Sequence, residues 1–393
     1  MKTASQKPLS YGRQWIDEDD ITAVVEVLRS DFLTQGPTVA EFEQVLANYC
    51  GAKYAVAVNS GTSALHIAAL AAGVKKGDVG ITSPITFVAS ANCIAYCGGT
   101  PRFADINPNT VNIDVDALEE VCAQYEPKII VPVDFAGQPA DLPQIKRIAE
   151  KYGAMVIEDA AHSLGASYSD DGIEYKAASC LHSDMAILSF HPVKLITTGE
   201  GGAVTTNDEN IYQTLLELRS HGIAKSQDKL IRNEGAWWYE QQTLGFNYRI
   251  TDIQCALGLS QMKKLDSFVE RRRELVKIYE EVFADLHDDA RLLTEAQGKK
   301  SSYHLLVASI SGGTTRRKRV FDYLRSQNIW TQVHYIPVHF QPWYQENFGY
   351  RRGEFPNAES YYEGCLSLPL FPAMTDSDVE RVSVTIREIL KET

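Results

Sequence analysis

The segment SDMAILSFHPVKLITTGEGGAVTT, residues 183–206, places a single lysine between two strand-like runs. Between Met185 and Gly199, Lys194 is the only permanently charged residue. Burial among apolar neighbours disfavours the ammonium form, so such a lysine can act as a nucleophilic amine. A lysine at a strand end can equally pack its stem and keep its charged head in water. Taken alone, this segment supports both interpretations.

Short apolar runs divide the first half of the chain and predict an α/β fold. Most of them are apolar on both faces and lie a helix length apart, which is typical of a mostly parallel seven-stranded sheet covered by helices. Only the last two are joined too closely for a crossover helix, so we expect that pair to be antiparallel. Lys194 lies on their connection, at the sheet edge where open α/β folds bind ligands. The runs are residues 54–58, 79–82, 102–105, 128–133, 154–158, 186–190 and 202–206.

A charged helical pattern over residues 251–286 predicts a long helix that leads from the sheet into a second domain. After it come a strand-like run, HLLVASI, and a closing helical segment, DVERVSVTIREILKE. We therefore predict a large domain over residues 1–269, which includes an N-terminal arm, and a smaller α+β domain over residues 270–393.

Composition narrows the class of protein. The chain of 393 residues is 44% hydrophobic and 23% charged, which is ordinary for a globular protein. Its net charge of −13 argues against a nucleic-acid partner, because phosphate backbones need a basic surface. The seven cysteines include no CxxC pair, so we expect no disulfide framework, no metal and a reducing cytoplasm. No apolar run has the continuity of a signal peptide or a membrane span, so we expect no membrane association.

Two further segments could carry chemistry. The first run is followed by NSGTSAL, where Gly61 and Thr62 could bring backbone N–H groups and a helix N-terminus to a phosphate, or could belong to an ordinary helix cap. The run AMVIEDAAH ends on Glu158 and Asp159, which need a partner beside an apolar strand. A pyridinium nitrogen or a helix N-terminus could serve as that partner. His162 follows on the same turn and, alone, is compatible with a hydrogen-bonded core histidine.

The three features together match one cofactor. Pyridoxal phosphate needs a phosphate anchor, an acid opposite its ring nitrogen and a lysine that forms a Schiff base with its aldehyde. The cradle at residues 61–63, Asp159 and Lys194 supply those three parts. We therefore favour a pyridoxal-phosphate site over three unrelated structural roles.

The motifs NSGTSAL, EDAAHSLGA, SFHPVKLITTGEGG and NYRITDIQCALGLSQ stand in the order typical of one family. On them the chain resembles the sugar-nucleotide aminotransferases of the DegT family, whose fold is that of the fold-type I pyridoxal-phosphate enzymes. TQVHYIPVH and DFLTQGP are most similar to the members that act in pseudaminic acid synthesis. The resemblance implies transfer of the amino group of L-glutamate to the 4-keto group of a UDP-linked 2-acetamido-2,6-dideoxy sugar. It also implies a homodimer with active sites at the subunit interface.

The resemblance further implies roles for individual residues. Lys194 would bind the aldehyde and move protons, and Asp159 would pair with the ring nitrogen. Much of the wider family has Gln at the position of His162, and the pseudaminic branch is similar to this chain in having His. The implied cofactor contacts are Gly61, Thr62, Phe87, Asp159, His162, Ser189, Lys194 and, from the neighbouring subunit, Asn247. The implied substrate contacts are Tyr11, Asp31, Phe32, Leu33, Thr34, Gly61, Ser189, Asn247, Ile336, Pro337, Val338 and His339.

Other functions are compatible with parts of the pattern. The amine acceptor could be another nucleotide-linked 4-keto- or 3-keto-6-deoxy sugar. A dehydratase of the same family would have histidine in place of Lys194. A catalytically silent regulator would need neither Lys194 nor Asp159. A dinucleotide oxidoreductase is disfavoured, because no GxGxxG follows the first strand.

Overall fold

The computed structural model describes residues 7–224, 229–286 and 288–392. Its helices are α1 (Glu18–Leu28), α2 (Pro37–Cys50), α3 (Gly61–Ala71), α4 (Ala89–Tyr96), α5 (Val115–Tyr125), α6 (Leu142–Tyr152), α7 (Glu209–Arg219), α8 (Asp252–Met262), α9 (Leu265–Phe283), α10 (Gly313–Ser326), α11 (Pro342–Phe348), α12 (Pro356–Gly364) and α13 (Asp376–Glu392).

Strands alternate with these helices over most of the chain. They are β1 (Leu9–Ser10), β2 (Tyr54–Val58), β3 (Val79–Thr82), β4 (Thr100–Phe103), β5 (Ile129–Val131), β6 (Met155–Asp159), β7 (Ser167–Asp170), β8 (Ile173–Lys176), β9 (Met185–Ser189), β10 (Gly202–Thr206), β11 (Ile223–Ala224), β12 (Glu240–Gln241), β13 (Ala290–Leu292), β14 (Lys299–Lys300), β15 (Leu306–Ile310), β16 (Ile329–Trp330) and β17 (Cys365–Leu368).

The predicted large sheet is confirmed. In the described part of the chain it has seven strands in the order β2-β10-β9-β6-β5-β3-β4. Strand β10 runs antiparallel to both of its neighbours, and the other pairs are parallel. The β9–β10 pair is antiparallel, as its short connection requires. Strands β6 and β9 are parallel neighbours, so their carboxyl ends lie at one edge of the sheet.

Helices cover both faces of this sheet, which explains why its strands are apolar throughout. One face packs Ile187 and Val204 against α3, α4 and α7. The other face packs Leu188 against α2 and α8, and further along the sheet Val156 against α5 and α6. Burial on both faces is the normal environment of parallel strands.

Three local details differ from the sequence-based expectation. The strand predicted at residues 102–105 is β4, which spans Thr100–Phe103 and ends before Asp105. The carboxylate of Asp105 accepts hydrogen bonds from the first N–H groups of α12. The long charged helix is broken into α8 and α9 near Lys264, whose ammonium pairs with Asp17 and Asp20. A hairpin, β7–β8, pairs with β14 beside the large sheet and was not predicted.

A second core lies in the C-terminal half of the chain. It joins α9, α10 and α13 to the sheet β13-β15-β17 and also includes Leu9 from the N-terminal arm. Helix α9 contributes Val269 to the core of the large sheet and Leu275 to the second core. Helix α9 thus passes from one core to the other near residue 270, close to the predicted domain boundary. The division into two domains stays a prediction. None of the helices in the described ranges is both long and apolar enough to span a bilayer.

Candidate active site

A cavity of about 680 Å³ opens at the carboxyl edge of the large sheet, where β2, β6 and β9 end. The segment 332–336 of the C-terminal half also lines it. Several residues that the sequence had singled out line it together. They are Tyr11, Gly61, Thr62, Phe87, Asp159, His162, Ser189, Lys194 and Ile336.

The start of α3 forms one end of the cavity. Ser60 is the N-cap, and its hydroxyl accepts a hydrogen bond from the N–H of Ser63. The N–H groups of Gly61 and Thr62 have no acceptor among the described residues, as is usual for the first positions of a helix. A Cβ on Gly61 would lie 3.0 Å from Cβ and 3.2 Å from Oγ of Ser189, so only glycine fits there without displacement. This end has the donors and the close backbone approach that a phosphate needs.

Asp159 ends β6 on the floor of the cavity and is buried. Its Oδ2 accepts a 2.6 Å hydrogen bond from Oγ of Ser90, and its Oδ1 accepts one of 3.2 Å from the N–H of Ala161. Burial raises the pKa of this carboxyl, whereas the two hydrogen bonds and the charge of Lys194 oppose the rise. The site thus holds a carboxylate where water is largely excluded.

Lys194 lies on the connection between β9 and β10 and borders the cavity. Burial lowers the pKa of its ammonium to about 8, and the charge of Asp159 limits the fall. A lysine with such a pKa supplies a useful fraction of neutral amine near neutral pH. The interpretation of Lys194 as a reactive amine is therefore favoured over that of a solvated strand-end lysine.

His162 is buried in the cavity wall, next to two residues of the C-terminal half. Its Nε2 lies 3.2 Å from the hydroxyl oxygen of Tyr335, and its ring centroid lies 4.4 Å from that of His304. Burial, together with the charge of Lys194, holds the pKa of His162 well below its usual value, so the ring is neutral. It is therefore both a hydrogen-bonded core histidine and part of the cavity lining.

Other residues named from the sequence lie outside the cavity of the single chain. Residues 31–34 and Asn247 are exposed, and Thr34 forms a β-bridge with Thr251. Pro337 and Val338 are buried beyond Ile336, and buried His339 places Nε2 3.0 Å from a carboxylate oxygen of Glu359. The substrate and cofactor contacts assigned to these residues stay predictions.

Sequence reasoning missed several lining residues. Ser90 lies in the first turn of α4, at the end of the segment PITFVAS (residues 84–90) that contains Phe87, and nothing in that segment reveals its contact with a carboxylate 69 residues away. Tyr335 directly precedes the predicted substrate segment 336–339. His304 and His334 come from loops that only the fold brings to the cavity.

These residues fit pyridoxal phosphate. Free N–H groups stand at one end, a buried carboxylate at the floor, and an amine of lowered pKa beside it, which are the parts that this cofactor requires. Gly61 and Thr62 would hold the phosphate, Asp159 the ring nitrogen and Lys194 the aldehyde carbon. Within the described residues, no cluster of side chains is suited to a metal ion.

Comparison with known proteins agrees with this site. The DegT/DnrJ/EryC1/StrS aminotransferase family matches residues 14–387, and the chain belongs to that family. The spore coat polysaccharide biosynthesis protein SpsC of Bacillus subtilis is 40% identical over 394 residues, which cover 98% of this chain and 97% of SpsC. A UDP-4-amino-4,6-dideoxy-N-acetyl-beta-L-altrosamine transaminase of Campylobacter jejuni is 37% identical over 386 residues, or 98% of each chain.

A solved structure shows the same fold. PseC of Helicobacter pylori, an aminotransferase of pseudaminic acid biosynthesis, superposes with a TM-score of 0.90 at 32% identity and covers 98% of this chain and 100% of its own. Similar solved structures include pyridoxal-phosphate and pyridoxamine-phosphate forms. The chain is thus a sugar aminotransferase that depends on pyridoxal phosphate.

Proposed function

We propose that this protein moves the amino group of L-glutamate to the 4-keto carbon of a UDP-linked 2-acetamido-2,6-dideoxy-4-keto sugar, as in the synthesis of pseudaminic acid. The observation that carries the amino transfer is the meeting of Asp159, Lys194 and the N–H groups of α3 around one cavity. The choice of sugar is supported by the 37% identity to the Campylobacter jejuni transaminase.

Each residue has a distinct part in this reaction. Pyridoxal phosphate, when bound, stores the amino group and stabilises negative charge at the α-carbon of the donor. Lys194, once its amine is free, takes the proton from that α-carbon through Nζ as a general base and later returns one as a general acid. Asp159, in its ionised form, would stabilise a positive charge opposite it, and the Ser90 hydroxyl donates to its Oδ2. The neutral His162 adds no competing charge.

We also propose that the active enzyme is a homodimer with shared sites and that it works in the cytoplasm. Asn247 is exposed and does not line the cavity of its own chain. If Asn247 contacts a cofactor, as predicted, that cofactor would therefore belong to a neighbouring subunit. Exposed apolar side chains on the N-terminal helix, Ile21 and Leu28, offer surface for such a neighbour. The described cysteines are free thiols, which suits a reducing compartment.

The substrate assignment is tested by incubating the purified enzyme with ¹⁵N-labelled L-glutamate and a panel of nucleotide-linked keto sugars. The panel includes UDP-2-acetamido-2,6-dideoxy-4-keto sugars, other nucleotide-linked 4-keto-6-deoxy sugars and 3-keto sugars. We expect ¹⁵N at carbon 4 of a UDP sugar, detected by mass spectrometry and NMR, and none with Lys194→Ala. Faster labelling of another sugar would favour the alternative acceptor. That alternative is supported by the 40% identity to SpsC, whose name places it in the biosynthesis of a different glycan, a spore coat polysaccharide. Cofactor binding with no labelled product from any sugar would favour the silent regulator.

A further inference from the structure

Tyr335 and His162 meet in the wall of the cavity although 173 positions separate them. The hydroxyl oxygen of Tyr335 lies 3.2 Å from Nε2 of His162, and the two rings are 21° from parallel with centroids 6.2 Å apart. Both side chains line the cavity. We propose that Tyr335 is a positioning residue, whose hydroxyl donates to His162 and fixes that ring beside the bound cofactor.

Both partners keep the protonation state that this hydrogen bond needs. Burial raises the pKa of the Tyr335 phenol, and the nearby charge of Asp159 raises it further, so the hydroxyl keeps its proton. Burial lowers the pKa of His162, so Nε2 can accept while the ring proton lies on Nδ1. In the proposed direction a neutral donor meets a neutral acceptor, and the hydrogen bond favours the tautomer with the ring proton on Nδ1.

The tautomer leaves a donor without a partner. Nδ1 of His162 is buried and has no hydrogen-bond partner among the described residues. A buried polar group of this kind is costly unless something satisfies it. Because His162 borders the cavity, an acceptor atom on the bound cofactor could fill that role, and the Tyr335 hydroxyl would determine that Nδ1 carries the proton.

Neighbouring aromatic rings hold Tyr335 in place. Its centroid lies 6.3 Å from that of Phe87, one of the cofactor contacts that the family resemblance implies. Phe135 lies behind both partners, with its centroid 6.4 Å from His162 and 6.4 Å from Tyr335. Phenylalanine at position 335 would keep all of these ring contacts and lose only the hydroxyl, so the substitution isolates the hydrogen bond.

The test compares Tyr335→Phe with Tyr361→Phe. Tyr361 is the matched control, because its hydroxyl also makes a hydrogen bond, of 2.8 Å to the carbonyl of His334, and its ring also packs on Phe135. Cofactor-free protein is titrated with pyridoxal phosphate, and the absorption maximum of the bound form is recorded. We expect Tyr335→Phe to weaken binding by roughly 3- to 10-fold, as the loss of one hydrogen bond predicts, and to shift the maximum. Tyr361→Phe is expected to leave both unchanged.

Repeating the substitution in a His162→Leu variant shows whether Tyr335 acts through His162 or only through its own packing. In His162→Leu, the further change Tyr335→Phe is expected to have no additional effect, because its acceptor is gone. An undiminished effect in that background, or wild-type affinity and spectrum for Tyr335→Phe, would overturn the inference. The inference rests on the proposed function, in which the cofactor occupies this cavity. Wild-type protein that binds no pyridoxal phosphate would overturn the proposed function. Normal binding by the wild type, with the same affinity and spectrum for Tyr335→Phe, would overturn only the inference.

Discussion

Oγ of Ser90 lies 2.6 Å from Oδ2 of Asp159 and connects the first turn of α4 to the end of β6. Thr86 extends the contact, since its Oγ1 lies 2.7 Å from the Ser90 hydroxyl. The hydroxyl donates to a carboxylate that burial would otherwise favour in its protonated form. The charge of Asp159 therefore depends on a residue from another part of the sheet edge.

Ser90→Ala is expected to reduce kcat/KM by roughly 10- to 150-fold, since a hydrogen bond to a charged group contributes about 1.5–3 kcal/mol. Ser90 lowers the pKa of Asp159, so its removal raises that pKa and the acidic limb of the pH–rate profile moves to higher pH. Ser83→Ala is the control, because Ser83 is a buried serine whose hydroxyl, among the described residues, hydrogen-bonds to Ile85 and not to a carboxylate. Equal profiles for the two variants would contradict the assigned role of Ser90.

The amine of Lys194 gives a direct pH test. The rate at which cofactor-free protein captures pyridoxal phosphate should rise with pH through about 8, because only the neutral amine attacks. Asp159→Asn should move this midpoint to lower pH, since the charge of Asp159 raises the pKa of Lys194. Stopped-flow absorbance measures the rate, and borohydride reduction should label wild-type protein but not Lys194→Ala. A label retained by Lys194→Ala would place the reactive amine elsewhere.

Gly61→Ala tests the phosphate end of the cavity. The added methyl group would crowd the side chain of Ser189 at 3.0 Å, so we expect pyridoxal phosphate to bind roughly 10-fold more weakly with the fold intact. Ser189→Gly removes the obstacle. The double variant should therefore bind no worse than Ser189→Gly alone, as measured by equilibrium titration. Fully additive losses would show that Gly61 acts in another way.

Asn247→Ala mixed with Lys194→Ala tests whether sites are shared between subunits. In a mixed dimer one of the two sites would have both native residues, so random exchange should restore about a quarter of wild-type activity. The control mixes Lys194→Ala with a chain carrying both substitutions, which cannot form a native site. No recovery despite proven subunit exchange would argue against a contact across the interface.

Arg272 links the back of the active site to the second core. It is fully buried, and its Nη1 donates to the carbonyls of Tyr303, His304 and Leu370 at 3.2, 3.3 and 2.8 Å. Arg272→Ala should lower the free energy of unfolding by roughly 3 kcal/mol, because three carbonyls, two of them in buried hydrogen bonds, lose a donor. Urea denaturation measures the loss, with exposed Lys277→Ala as control. A change of less than about 1 kcal/mol would mean that water replaces the guanidinium.

Much of the large sheet follows from local patterns. Runs such as 54–58 and 202–206 are apolar on both faces, and the short connection carrying Lys194 leaves no room for a crossover helix. The β7–β8 hairpin escaped prediction because its residues are largely polar or exposed and its pairing with β14 spans more than a hundred positions. Local patterns carry no information about such distant pairing.

The amino-acid sequence by itself determined the family and the cofactor. It also determined the site residues that follow strands at the sheet edge, namely the α3 turn, Asp159 and Lys194. Those residues sit in contiguous motifs whose spacing reflects the sheet. Only the tertiary structure decided what surrounds them: the Ser90 hydroxyl on Asp159, the Tyr335 hydroxyl on His162 and the pKa of about 8 for Lys194. Hydrogen bonding and desolvation act through space over a few ångströms, and which atoms lie that close is settled when distant segments pack together.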